Sequence, residues 1–111
     1  MRRLLAGVAV AAILIPASVS AQDMDGNLLY EDCAAPKASF TEGICIGYIV
    51  GIVGAMGTWA SSDRHTCLPP HMNVEQMLDV VTQFLTSHPD KRHRAAGGLV
   101  AEAFADAFPC H

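Results

Sequence analysis

The chain has 111 residues, 16% of them charged, and a formal net charge of −4 at neutral pH. That length allows one small domain. Seven Lys and Arg against eleven Asp and Glu make a poor match for nucleic acid or an anionic lipid surface, where basic contacts carry the affinity, whereas a basic protein partner would suit it.

Residues 1–21 read as a secretory signal peptide. Arg2 and Arg3 open it, Leu4–Ile15 is an apolar run too short to span a bilayer comfortably, and Pro16 breaks that run. Val19-Ser20-Ala21 supplies small residues before a cut after Ala21, which predicts export to the periplasm. Residues 22–111 then form a single domain. It keeps five of the seven Lys and Arg and all eleven Asp and Glu, so its formal charge is −6. All four cysteines, Cys33, Cys45, Cys67 and Cys110, lie in this part. Export with an even cysteine count predicts disulfides, which a domain with a limited core needs. The favoured pairs are Cys33–Cys45 and Cys67–Cys110, although spacing alone leaves three connectivities open.

Asp25–Cys33 reads as a short helix capped by Asp25, followed by a linker with Pro36. Ser39-Phe40-Thr41-Glu42 fits a capping box that opens the next helix, about Phe40–Ser61. No charge occurs from Gly43 to Ser62. Cys45, Ile49, Ile52, Met56 and Trp59 make one stripe, and Gly43, Gly47, Gly51 and Gly54 make another. Each glycine costs a helix about 0.8–1 kcal/mol relative to alanine, so the stripe calls for close packing in return. Two readings fit: a transmembrane helix with a Gly-xxx-Gly face, or a fully buried central helix of a bundle or dimer. The early cysteine, the many glycines and the polar end at Ser61 and Ser62 favour the second.

After a polar loop, Ser62–His71, Asn73 is a plausible N-cap for a helix whose apolar face is Val74, Met77, Leu78, Val81, Phe84 and Leu85. Glu75, Asp79, Thr82, Gln83 and Thr86 fall on the other side. Ser87-His88-Pro89 is a hinge, with Pro89 suited to the first turn of the following helix. Ala96, Leu99, Val100, Ala103, Phe104 and Ala107 share a face of that helix, and Pro109 ends it. Strand signals are nearly absent. The expected fold is all-α, a small disulfide-braced bundle of four or five helices.

Catalytic patterns are missing. Five histidines invite a metal reading, but there is no Cys-x-x-Cys or His-x-x-x-His pair, and Cys67 is better spent in a disulfide than as a ligand. No metal, cofactor, free thiol nucleophile or phosphate-cradling glycine loop is expected. Glu75, Asp79, Glu102 and Asp106 read as solvated helix-face carboxylates. One dense charged cluster remains, at the hinge: His88, Pro89, Asp90, Lys91, Arg92, His93 and Arg94. It is either a solvated turn or a projecting tip that enters a partner's cleft.

Cys67-Leu68-Pro69, Gln76, Val80-Val81, Phe84-Leu85, His88-Pro89, Arg92-His93, Ala95-Ala96, Leu99-Val100 and the closing Ala107-Phe108-Pro109-Cys110 resemble the Rap/Tai family of type VI secretion immunity proteins. Upstream, Gly26-Asn27-Leu28-Leu29-Tyr30, Cys33 and Cys45-Ile46-Gly47-Tyr48-Ile49-Val50-Gly51 extend the likeness over nearly all of residues 22–111. The resemblance implies an HdeA-like fold and a homodimeric periplasmic inhibitor. Its partner would be a peptidoglycan amidase effector with a cysteine nucleophile, inhibited by occlusion without chemistry. The family often has an acidic residue where this chain has Gly54. The competing expectations are an HdeA-type acid-stress chaperone, whose histidines and carboxylates would titrate, and a small membrane-associated protein using the glycine-rich helix.

Overall fold

A computed structural model describes residues 7–12, 24–59 and 66–111. The expected cleavage site and the loop residues Asp63, Arg64 and His65 lie outside the described residues, as does the side chain of Trp59. Residues 7–12 are exposed and belong to no helix.

Four α-helices form the domain: α1 (Gly26–Cys33), α2 (Phe40–Trp59), α3 (Val74–Ser87) and α4 (Ala96–Ala107). A single 3₁₀ turn, Pro89–Lys91, lies between the last two. Pro89 thus opens this turn rather than α4, which starts only at Ala96.

Local capping chemistry sets the helix starts. Leu28 N donates to Asp25 Oδ1 at 2.8 Å, and Gln76 N donates to Asn73 Oδ1 at 2.8 Å. Each satisfies an N–H that lacks a partner in the first turn. Before α2, Glu42 N donates to Ser39 Oγ at 3.1 Å, and the Glu42 carboxylate accepts from Ala38 N at 3.1 Å. Ala38 sits at φ 64°, a left-handed turn conformation that the Glu42 carboxylate helps to hold.

Each of the four helices packs against the other three. The core comprises Leu29 of α1, Cys45, Ile49 and Val53 of α2, Val81, Phe84 and Leu85 of α3, and Ala96, Leu99, Val100, Ala103 and Phe104 of α4. Val74, at the first turn of α3, is exposed because the apolar face reaches the core only further along. Disulfides Cys33–Cys45 and Cys67–Cys110 close the structure, with Cα–Cα distances of 5.1 and 5.0 Å. The first ties α1 to α2. The second joins the approach to α3 to the end of α4, next to a hydrogen bond of 2.8 Å from Cys67 N to Phe108 O.

α2 departs from the expectation of a fully buried helix. Among its described side chains only Cys45, Ile49 and Val53 are buried, an i, i+4, i+8 line along one side. Tyr48, Ile52 and Met56 flank that line half-buried. The other three helices are shorter and cover a single side of α2. A helix with no charged face looks central in sequence, but its burial is decided by how much protein surrounds it.

Candidate partner-binding surface

The hinge region is held from three directions. Backbone hydrogen bonds run from Gly26 N to Arg94 O at 3.0 Å, from Asn27 N to Arg92 O at 2.9 Å, and from Ala96 N to Met24 O at 2.7 Å. Residues 24–27 therefore lie antiparallel along residues 92–96, and the orphan N–H groups of α1 are satisfied by hinge carbonyls. This approach requires Gly26. A Cβ there would come within 2.5 Å of Leu99 Cδ1 and 2.8 Å of Arg92 O.

Side chains add the second and third supports. Arg92 places its guanidinium carbon 4.0 Å from the Tyr30 ring centroid, and its Nε donates to Leu85 O at 2.6 Å. Lys91 Nζ donates to Glu102 Oε1, and Arg94 Nη1 lies 3.8 Å from the other Glu102 oxygen. The hydrogen bond from Lys91 is the largest influence lowering the Glu102 pKa below the ordinary carboxylate range, with the positive charges of Lys91 and Arg94 adding to it and partial burial opposing it. Glu102 is thus engaged rather than simply solvated. At the other edge, the His88 ring stacks on Phe84 with centroids 4.2 Å apart, and its Nδ1 lies 2.8 Å from Phe84 O. A carbonyl only accepts, so Nδ1 carries the proton.

The cluster read as one charged patch is therefore divided. Lys91 and Arg92 are half-buried and bound to the scaffold, while Pro89, Asp90, His93 and Arg94 are exposed. Sequence reasoning singled out the cluster but missed Tyr30, Gly26 and Glu102 as its supports. Gly26 and Tyr30 stand in the motif that carries the resemblance, yet no local pattern pairs them with the hinge.

A second exposed feature is the outer face of α2. Gly43, Gly47, Gly51 and Gly54 lie on the side opposite Cys45, Ile49 and Val53, together with Phe40 and Ile44. Phe40 is 85% exposed. Among the described residues, nothing comes within 4 Å of a Cβ built at any of these four glycines. α2 is also long and apolar enough to cross a membrane by length and composition. Among the described residues, no group of three or more His, Cys, Asp or Glu is arranged to hold a metal ion.

The family model of Rap1a immunity proteins matches residues 25–110. The chain belongs to the Rap1a immunity protein family. The match begins at the cap of α1 and ends at the cysteine that closes the fold, so it spans all four helices and both disulfides. No curated protein and no solved structure is significantly similar to the chain. As a Rap1a protein it is a binding protein and not an enzyme. Its function implies recognition of a cognate effector. Its two disulfides are those of a protein matured in an oxidising compartment.

Proposed function

We propose that this Rap1a protein is exported to the periplasm, with its signal peptide cut after Ala21, and there binds and occludes a type VI secretion effector that is a peptidoglycan amidase. The observation that carries this reading is the hinge pinned to α1 within a family of immunity proteins. A tip held by backbone hydrogen bonds, a cation–aromatic contact and an ion pair loses little freedom when it enters a cleft, so more of its contact energy appears as affinity. The contact region is the stretch His88, Pro89, Asp90, Lys91, Arg92, His93 and Arg94. Its exposed members touch the effector, and Lys91 and Arg92 hold the shape.

The protein acts as a homodimer through the outer face of α2. Gly43, Gly47, Gly51 and Gly54 let a second backbone approach closely, and Phe40 and Ile44 supply apolar area beside them. The same face would suit lipid, and fractionation of residues 22–111 distinguishes the two. The dimer stays in the soluble fraction without detergent, whereas recovery with membranes would overturn it.

The mechanism is tested by titrating the purified domain against the cognate amidase acting on isolated peptidoglycan. Occlusion gives a sharp endpoint at one chain, or one dimer, per enzyme and a complex that co-elutes. Protection without a complex, or protection that turns over, would rule it out.

A further inference from the structure

Next to the hinge, an open groove of about 260 Å³ runs between α3 and α4. Its floor is apolar, formed by Val80, Phe84 and Ala103, and its rim carries Gln83, Ser87 and Asp106. Three observations give this groove a sign. Asp106 is exposed and forms no ion pair among the described residues, while no Lys or Arg lines the groove. Ser87 and Ala107, the last residues of α3 and α4, both line it, so the C-terminal ends of two helices border one cavity. Helix C-termini favour cations, yet neither of these last turns contains a basic residue. Lys91 Nζ lies 5.6 Å from the Phe84 ring centroid but does not line the groove and is engaged by Glu102. His88 adds no negative charge, and its Nδ1 proton is spent on Phe84 O.

We propose that this groove receives an arginine side chain of the effector. The methylene stem lies over Val80, Phe84 and Ala103, and the guanidinium meets the Asp106 carboxylate with the Gln83 and Ser87 oxygens beside it. Arginine suits the site better than lysine, because the planar fork engages a carboxylate in two places and sheds water more readily. The partner's identity rests on the immunity reading; the chemistry of the groove does not.

Two arms test the proposal. In the first, the isotope-labelled domain, with both disulfides intact, is titrated by NMR with the capped peptide acetyl-Gly-Arg-Gly-amide and with its norleucine counterpart. The arginine peptide shifts the amides of Val80, Gln83, Ser87 and Asp106 with saturation in the millimolar range. The norleucine peptide does not, and neither peptide shifts them in Asp106→Asn. Absence of these shifts, equal shifts in Asp106→Asn, or shifts spread to Glu75 and Asp79 would overturn the site. In the second arm, Asp106→Asn weakens the complex with the cognate amidase about tenfold, as expected for losing one close charge pair at an interface. A positive peptide arm with an unchanged amidase complex would overturn the effector as the source of the arginine. If the wild-type chain binds no amidase at all, the immunity reading fails, and the peptide arm still decides the groove.

Discussion

Arg92 lies over the ring of Tyr30, with its guanidinium carbon 4.0 Å from the centroid, and so joins the hinge to the C-terminal half of α1. The same side chain donates to Leu85 O, a carbonyl near the end of α3. Arg92→Ala removes both contacts and costs about 2 kcal/mol, from a cation–aromatic pair of roughly 0.5–2 kcal/mol and a charged hydrogen bond of similar size. Arg94 is 56% exposed with a single loose ion pair, so Arg94→Ala changes stability by less than about 0.5 kcal/mol. Urea unfolding of both variants checks the contrast. Equal effects would mean that the hinge is held by its backbone alone.

Two glycines test the approach of α1 to the hinge. Gly26→Ala forces a methyl against the Arg92 backbone and is destabilising by about 2 kcal/mol or more. Gly98→Ala, in α4 with nothing among the described residues within 4 Å of the added Cβ, is neutral or stabilises by up to about 1 kcal/mol through helix propensity. Thermal melts that rank the two variants the other way would contradict the packing described.

Glu102 links stability to pH. Its folded-state pKa lies below the ordinary value. Its contribution is therefore complete above the ordinary glutamate range and is lost as pH falls through the lower, folded-state value. Melting temperatures of the wild type and Glu102→Gln should differ by a constant amount near neutral pH and converge on the acid side of that range. A gap that stays constant far into acid would show that the carboxylate charge contributes nothing. High salt should narrow the gap, since both ion pairs are partly exposed.

The outer face of α2 gives a prediction with two signs. Replacing Gly47 and Gly51 by leucine raises helix propensity by somewhat less than the roughly 0.8–1 kcal/mol per site that separates glycine from alanine, and the added Cβ atoms meet nothing within 4 Å among the described residues. The isolated chain should therefore melt higher. In the proposed dimer the added side chains push the two helices apart, so sedimentation should show a shift towards monomer. A dimer that survives both substitutions uses another face.

The two disulfides should differ in reactivity. Cys45 is fully buried, whereas Cys67 is exposed. Thiol exchange needs access to a sulfur atom, so mild reductant opens Cys67–Cys110 first. Alkylation and peptide mapping over time read the order directly. In the chain-entropy account the wider bridge, with a sequence separation of 43, is also worth more than the one with a separation of 12, about 4 against 3 kcal/mol.

What was legible in the sequence was local. Asp25, Ser39, Glu42 and Asn73 announce helix starts because each cap acts within three or four residues of itself. The stripe Val81, Phe84 and Leu85 likewise names its own buried face. α2 was misleading because, with no charge from Gly43 to Ser62, its two stripes do not say which of them meets solvent. Whether its glycines point inward depends on how many helices surround it, and no window of sequence contains that. Within the hinge, charge density marked the place but not the division of labour. The half-burial of Lys91 and Arg92 depends on Glu102 and Tyr30, which come from α4 and α1. The groove was hidden for the same reason, since Asp106 looked like one more solvated carboxylate until Ser87 and Phe84 stood beside it.

The pairing of residues 24–27 with residues 92–96 spans almost the whole helical domain. Contacts between such distant segments carry the largest loop-closure cost and tend to form late in folding. The hinge is therefore expected to take its final shape late, when α1 has been brought to it, although α3 and α4 are neighbours in the chain. A synthetic hairpin of residues 67–110, even with Cys67 and Cys110 joined, would have the helices and lack the strut that fixes the tip. On the proposed export route, residues 24–27 would have to wait for residues 92–96 before the tip of the hinge is complete.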